Sequence, residues 1–276
     1  RDAYLPGLAQ SVNNHAVRLA EVGRRAEALQ ASQEAVDLRR ELTAANRDAY
    51  LPGLARSVNN HANRLAEVGR HAEALQASQE AVDLYRELAT VHRDAYLPDL
   101  AMSVNNHAVR LAEAGRRAEA LDAVQEAVDL YRELATVHRD AYLPDLAMSV
   151  NNHALLLAKV GRRAEALDAV QKAVDLRREL VAVSRDAYLP YLAGSLWNVG
   201  YVARILEETS DEILDAVAEG VRYFDELAVT EPQAFTVRRD AAAAILSDLQ
   251  DRAASQHPEL PPRRSPHTDE ITRDTA

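Results

Sequence analysis

The sequence predicts an all-α superhelical solenoid, a row of about five antiparallel helix pairs closed by a C-terminal capping helix. Three observations lead there. The segment Arg-Asp-Ala-Tyr-Leu-Pro opens at Arg1, Arg47, Arg93 and Arg139, a period of 46 residues, and returns in altered form from Arg185. The second and third units differ at only seven positions, so whole structural units were copied and each must bury its apolar face mainly against its neighbours. Within a unit the apolar residues step by three and four, the period of a helix, and no run alternates as a strand would.

In the third unit that series runs Leu97, Leu100, Ala101, Val104, Ala108, Leu111 and Ala112, which predicts a helix A from about Leu97 to Ala114. Gly115 supplies the residue without a side chain that a helix C-terminus commonly needs. Ala120, Leu121, Val124, Ala127, Val128, Tyr131, Leu134 and Ala135 then mark helix B, to about His138. Pro98 removes few intrahelical bonds only near a helix start, so Asp94 or Leu97 is expected to cap helix A. Tyr4, Tyr50, Tyr96, Tyr142 and Tyr188 are expected to pack between units with the hydroxyl outward.

The units are placed at 1–46, 47–92, 93–138, 139–184 and 185–231. The fifth replaces Asn-Asn-His-Ala with Asn198, Val199 and Gly200, loses the turn glycine and carries one extra residue, as a terminal repeat does. From Pro232, Gln233-Ala234-Phe235 echoes Asp-Ala-Tyr, and Ala242, Ile245, Leu249 and Ala253 form a helical series without a helix B. Residues 232–256 are therefore expected to be a capping half-unit. Residues 257–276, with Pro258, Pro261, Pro262 and Pro266 among polar residues, are expected to be a flexible tail.

Composition narrows the function. Aromatic residues are 5% against 47% hydrophobic overall, which favours helices packed through Ala, Val and Leu. A formal net charge of −11 argues against nucleic acid, whose binding depends on clustered Lys and Arg. Without cysteine there is no disulfide or thiolate metal site. No apolar run approaches the roughly 20 residues a membrane span needs, and a cytoplasmic setting without membrane contact is expected. Only Lys159 and Lys172 are lysines among many arginines, the bias of a GC-rich, actinobacterial genome. The chain begins at a unit boundary without Met, so it is expected to be part of a longer protein whose activity lies in a preceding segment.

Alanine at close helix approaches together with glycine at the turn resembles the tetratricopeptide repeat. With Gly115 at the family's turn glycine, Ala108 falls on its small helix-A residue, Leu111 on its large one, and Ala120 and Ala127 on its two helix-B alanines. The match recurs in register in the first, second and fourth units, as at Ala16, Ala62 and Ala154. It covers roughly residues 1 to 254. The longer unit and the Val-Asn-Asn-His-Ala stretch are similar to the kinesin-light-chain type, whose motif reads Leu-Asn-Asn-Leu-Ala. The resemblance implies a scaffold or sensor that binds a protein or peptide, or another domain of its own full-length chain, in a concave groove. Its setting would be an actinobacterial signalling protein such as a STAND-type ATPase or a transcriptional regulator. The rival reading is a structural module that self-associates end to end through its repeat edges.

The candidate binding residues are the asparagine pairs Asn13-Asn14, Asn59-Asn60, Asn105-Asn106 and Asn151-Asn152. An amide donates and accepts at once, so a ladder of them can hold a peptide backbone, although the same amides could instead bond neighbouring helices. The resemblance implies that the first of each pair lies on the concave surface and the second contacts peptide. Beside them, Met102, Val109, Met148 and Leu155 make units three and four apolar where Asn63 and Arg56 make unit two polar. His15, His61, His107 and His153 replace the family's leucine. Equivalent helices stand about 8–10 Å apart while His–Zn bonds need about 2.0–2.1 Å, so no metal site is expected. A neutral imidazole bonded to a nearby Asn or Ser is expected, with an acid-sensitive element as the sharper alternative. No nucleophile, phosphate-loop or zinc-protease motif occurs, so neither catalysis nor a cofactor is expected.

Overall fold

A computed structural model describes residues 4–256. The eleven helices among them run α1 (Leu5–Glu21), α2 (Arg25–Ala45), α3 (Arg47–Glu67), α4 (His71–Val91), α5 (Arg93–Glu113), α6 (Arg117–Val137), α7 (Arg139–Lys159), α8 (Arg163–Val183), α9 (Arg185–Leu206), α10 (Asp211–Thr230) and α11 (Pro232–Gln256). Each packs on the next, which makes an all-α solenoid of five antiparallel pairs with α11 as the capping helix. The residues expected to form a flexible tail lie outside those described.

Helix A starts four residues earlier than its apolar series suggests. α5 begins at Arg93, capped at His92, and Pro98 is its sixth residue. Neither Asp94 nor Leu97 is the cap. The proline there removes the one bond that its N–H would have made to the Asp94 carbonyl, and the rest of the first turns tolerate it. In α3 the cap is Asn46, whose side chain accepts from the Ala49 N–H at 3.2 Å.

The A-to-B turns are a repeated Schellman closure. Gly115 holds φ +77°; its N–H bonds the Ala112 carbonyl, and the Arg116 N–H bonds that of Leu111 at 2.9 Å. Gly23, Gly69 and Gly161 do the same. The fifth pair lacks the glycine, and Glu207 takes the left-handed conformation in its place, φ 56°.

Small residues set the spacing. Ala28, Ala74, Ala120 and Ala166 have no exposed surface, nor do Ala35, Ala81, Ala127 and Ala173, so the helix backbones approach closely. Tyr50, Tyr96, Tyr142 and Tyr188 are half-buried against inter-unit clusters, whereas Tyr4 is exposed. At the C-terminal end Gly200 stands where earlier units have alanine. A Cβ there would meet Ile245 Cγ2 at 2.7 Å and Val217 Cγ2 at 2.8 Å, so the substitution admits the capping helix. Phe235, Ala242, Ile245 and Leu249 of α11 are buried against α9 and α10.

On the A side alternate helices touch, α1 with α3, α5 with α7 and α7 with α9, while successive B helices stand further apart. The odd-numbered helices therefore line the inner face.

Candidate functional site

Every fourth residue or so of an A helix points to the inner face. In α5 these are Asp99, Met102, Asn106, Val109 and Glu113; in α7, Asp145, Met148, Asn152, Leu155 and Lys159; in α9, Tyr191, Gly194, Asn198, Tyr201 and Ile205. The expected apolar members thus share one surface, and it extends into α9, where Tyr201 and Ile205 were not singled out from sequence. An open cleft between α5 and α7 is lined by Val109, Ala112, Glu113, Asn152, Leu155 and Lys159. Met102 is 37% exposed and Met148 half-buried at the next level of the groove. Asn63 is half-buried at the level of Val109 in α3.

The asparagine pairs divide their labour, and half of the expectation needs correcting. Asn13, Asn59 and Asn105 are buried, not on the concave surface. Each is the acceptor for the second asparagine of the following unit: Asn60 Nδ2 to Asn13 Oδ1 at 3.2 Å, Asn106 to Asn59 at 3.4 Å, and Asn152 to Asn105 at 3.3 Å. The half-buried Asn151 accepts from Asn198 at 3.0 Å, so the worn fifth unit keeps the link. A helix period brings the first asparagine toward the next A helix, and burial there requires an internal partner. Asn60, Asn106 and Asn152 remain half-buried at the groove floor, each with one amide proton spent and a carbonyl oxygen left. Asn14 is exposed and accepts instead from Gln10 Nε2 at 2.9 Å.

The histidines face the B helices. His61 Nδ1 lies 2.8 Å from Ser32 Oγ, and His107 Nδ1 lies 2.8 Å from Ser78 Oγ. Each hydroxyl donates to a carbonyl, of Leu29 or Leu75, so it must accept from a protonated Nδ1, which leaves Nε2 the basic nitrogen. Val124 takes the serine's place before His153, and His15 is exposed. Burial first, and then the Arg70 and Arg40 charges, hold His61 below the ordinary imidazole range. His107 and His153 are lowered in the same way, burial first, then nearby arginines.

A second level of the groove was not legible as a site. Helix B sends one long side chain per unit between consecutive A helices: Arg39, Tyr85, Tyr131 and Arg177, all buried. Facing them on the next A helix are Gly53, Asp99, Asp145 and Tyr191. Burial raises the Tyr85 and Tyr131 hydroxyls well above the phenol range, and the charges of Asp99 and Asp145 add to it. Asp99 and Asp145 are raised by burial. The Arg177 guanidinium sits over the Tyr191 ring, 5.0 Å from its centre. The residue types at the two positions change together.

The tetratricopeptide-repeat family model matches residues 8–43, 54–94, 100–140 and 146–183. The chain belongs to the tetratricopeptide repeat family. Among solved structures, the apo form of RapI superposes with TM-score 0.62 at 13% identity, over 90% of this chain and 85% of that one. A putative kinesin light chain of Podosopora anserina with nearly identical repeats gives 0.52 at 16%, over 93% and 99%. A Rap protein complexed with competence and sporulation factor gives 0.55 at 15%, over 90% of this chain and 64% of that one. At such identities the likeness is one of fold. No curated protein sequence matches this tetratricopeptide chain. Among the described residues no group of His, Asp and Glu could hold a metal ion, and no helix is long and apolar enough to cross a membrane.

Proposed function

We propose that the chain is a binding scaffold that holds an extended segment of another polypeptide, or of its own full-length chain, along the inner face of α1, α3, α5, α7 and α9. The observation that carries this is the cleft between α5 and α7, where the half-buried Val109 and Leu155 line the wall beside the Asn152 amide. Apolar walls accept a partner side chain while the free amide oxygens of Asn106 and Asn152 accept from its backbone N–H groups. The solved Rap complex with a competence and sporulation factor is a precedent of the same fold. The units at 1–46 through 185–231, with the cap at 232–256, are the modules of this scaffold, and a cytoplasmic, actinobacterial signalling protein is the setting we assign to it.

Selection of random peptides displayed on phage tests the reading. Enriched peptides should carry large aliphatic or aromatic residues. The variant Val109→Asn/Leu155→Asn should bind them at least ~10-fold more weakly, because it removes two apolar contacts. The variant should fold, since Asn63 already occupies that level. Selected peptides that bind parent and variant alike would remove the groove from consideration.

A further inference from the structure

Two guanidinium groups converge at the N-terminal end of the inner face without a counter-charge. Arg39 Nη2 and Arg56 Nη2 both donate to the same neutral oxygen, Gln10 Oε1, at 3.1 and 2.5 Å. Gln10 is oriented for this by its own donation to Asn14. Arg39 is 93% buried by its 7% exposure, and its Nε has no hydrogen-bond partner. Among the described residues neither arginine has a carboxylate within ion-pair distance. Asp99 acts on Arg56 only at longer range, through its charge. Burial, and after it the like charge of Arg56, disfavours the charged Arg39, yet a guanidinium does not give up its proton. An uncompensated buried cation is costly, and one amide oxygen serves both cations poorly.

The other junctions solve the same place differently. Where Arg39 faces Gly53, the next two pairs are Tyr85 with Asp99 and Tyr131 with Asp145. A Cβ at Gly53 would lie 2.6 Å from Arg39 Nη1, so the glycine is what admits the guanidinium. The fourth junction also buries a guanidinium, Arg177, but over the Tyr191 ring and with Gly194 where α3 has Arg56, so the converging pair of cations is confined to this end of the array.

We propose that Gln10, Arg39 and Arg56 form an oxyanion site, filled by an acidic group of the peptide that occupies the groove. An oxyanion takes the place of Gln10 Oε1 and accepts from both guanidiniums, a charge-assisted pair stronger than the neutral contact it replaces. This rests on the groove reading for the source of the anion, though not for the site itself. From α3 to the cleft between α5 and α7 is ~15 Å at the usual helix spacing, about five residues of extended chain. The matching segment has an acidic residue about five positions from a large aliphatic one.

The test has two arms. In the first, sodium acetate and sodium phosphate are titrated into the isotopically labelled chain. Side-chain signals of Gln10, Arg39 and Arg56 should shift with saturation, and those of Gln10 and Arg56 should not do so in Arg39→Tyr/Gly53→Asp, which installs the pair that two other junctions already fold with. In the second arm, blocked Ser/Ala peptides carry one leucine and one glutamate five positions to either side, beside glutamine counterparts. One glutamate order should bind ~10-fold or more tightly than its glutamine form, and the double variant should erase the difference. No shift with either ion, together with equal binding of the glutamate and glutamine peptides, overturns the site while leaving the groove reading intact. Saturable shifts without peptide discrimination overturn the peptide source and make the ligand a free inorganic anion. Failure of every peptide to bind, with the ions still shifting those signals, counts against the groove reading and against the peptide source.

Discussion

Asn106 donates its side-chain amide to Asn59, 47 residues earlier in the chain, across 3.4 Å. Asn59 is buried, and the hydroxyl of Ser103, one turn before its neighbour, has no partner at all. One unit later Asn105 receives both Asn152 and Ser149 Oγ, the latter at 3.2 Å. The same ladder thus has a singly held rung and a doubly held one.

Asn106→Ala should cost about 1–3 kcal/mol, the desolvation of a buried acceptor left unmade, and Asn152→Ala should cost less because Ser149 still serves Asn105. Urea denaturation of the two variants checks the order. Equal losses would mean that the rungs do not bear on stability. These asparagines consequently make poor probes of binding, contrary to what their types alone suggest, since removing them also loosens the array.

The fold was legible because a 46-residue period writes the same apolar face five times; of the four imidazoles expected to bond a nearby Asn or Ser, His61 and His107 do so, to Ser32 and Ser78, while His15 is exposed and Val124 stands in the serine's place before His153. The start of helix A was misread because Pro98 argues locally for a helix beginning, whereas the chain gains more by extending the helix back to Arg93. The burial of Asn13, Asn59 and Asn105 was not visible. Their partners lie a full unit away on another helix, and residue type gives no sign of which amide turns inward. Arg39 and Gly53 stayed hidden for the same reason. Only the packing of α2 on α3 shows that the two positions meet.

Gly200→Ala should destabilise the C-terminal end by about 1–3 kcal/mol, the usual cost of forcing an extra carbon into a filled space, because Ile245 and Val217 stand within 3 Å of the new Cβ. Gly194→Ala, on the same helix with no atom within 4 Å, should instead stabilise by up to about 1 kcal/mol through helix propensity. Thermal unfolding of the pair distinguishes close approach from a general intolerance of side chains in α9.

Glu207→Gly should stabilise by about 1 kcal/mol, since a non-glycine residue in the left-handed region carries that order of strain and Gly23, Gly69, Gly115 and Gly161 hold the equivalent turns without it. The gain is offset in part by the entropy glycine returns to the unfolded chain. A variant less stable than the parent in chemical denaturation would show that Glu207 makes a compensating contact.

The histidines make the array sensitive to acid, with a defined sign. His61, His107 and His153 have folded-state pKa values held below the ordinary imidazole value, by burial first and arginine charge second. Below about 6.5 the unfolded chain binds protons that the folded chain refuses, so stability falls as pH drops and is restored above that value. Replacing His61 and His107 with Leu removes two of the three groups; Ser32 and Ser78 keep their bonds to the Leu29 and Leu75 carbonyls. The decline in stability between about pH 7 and pH 5 should become shallower, leaving the share that belongs to His153 and the carboxylates. Equilibrium denaturation of parent and double variant at those two pH values measures it. Parallel losses in the two proteins would mean that protonation of the imidazoles is not coupled to folding.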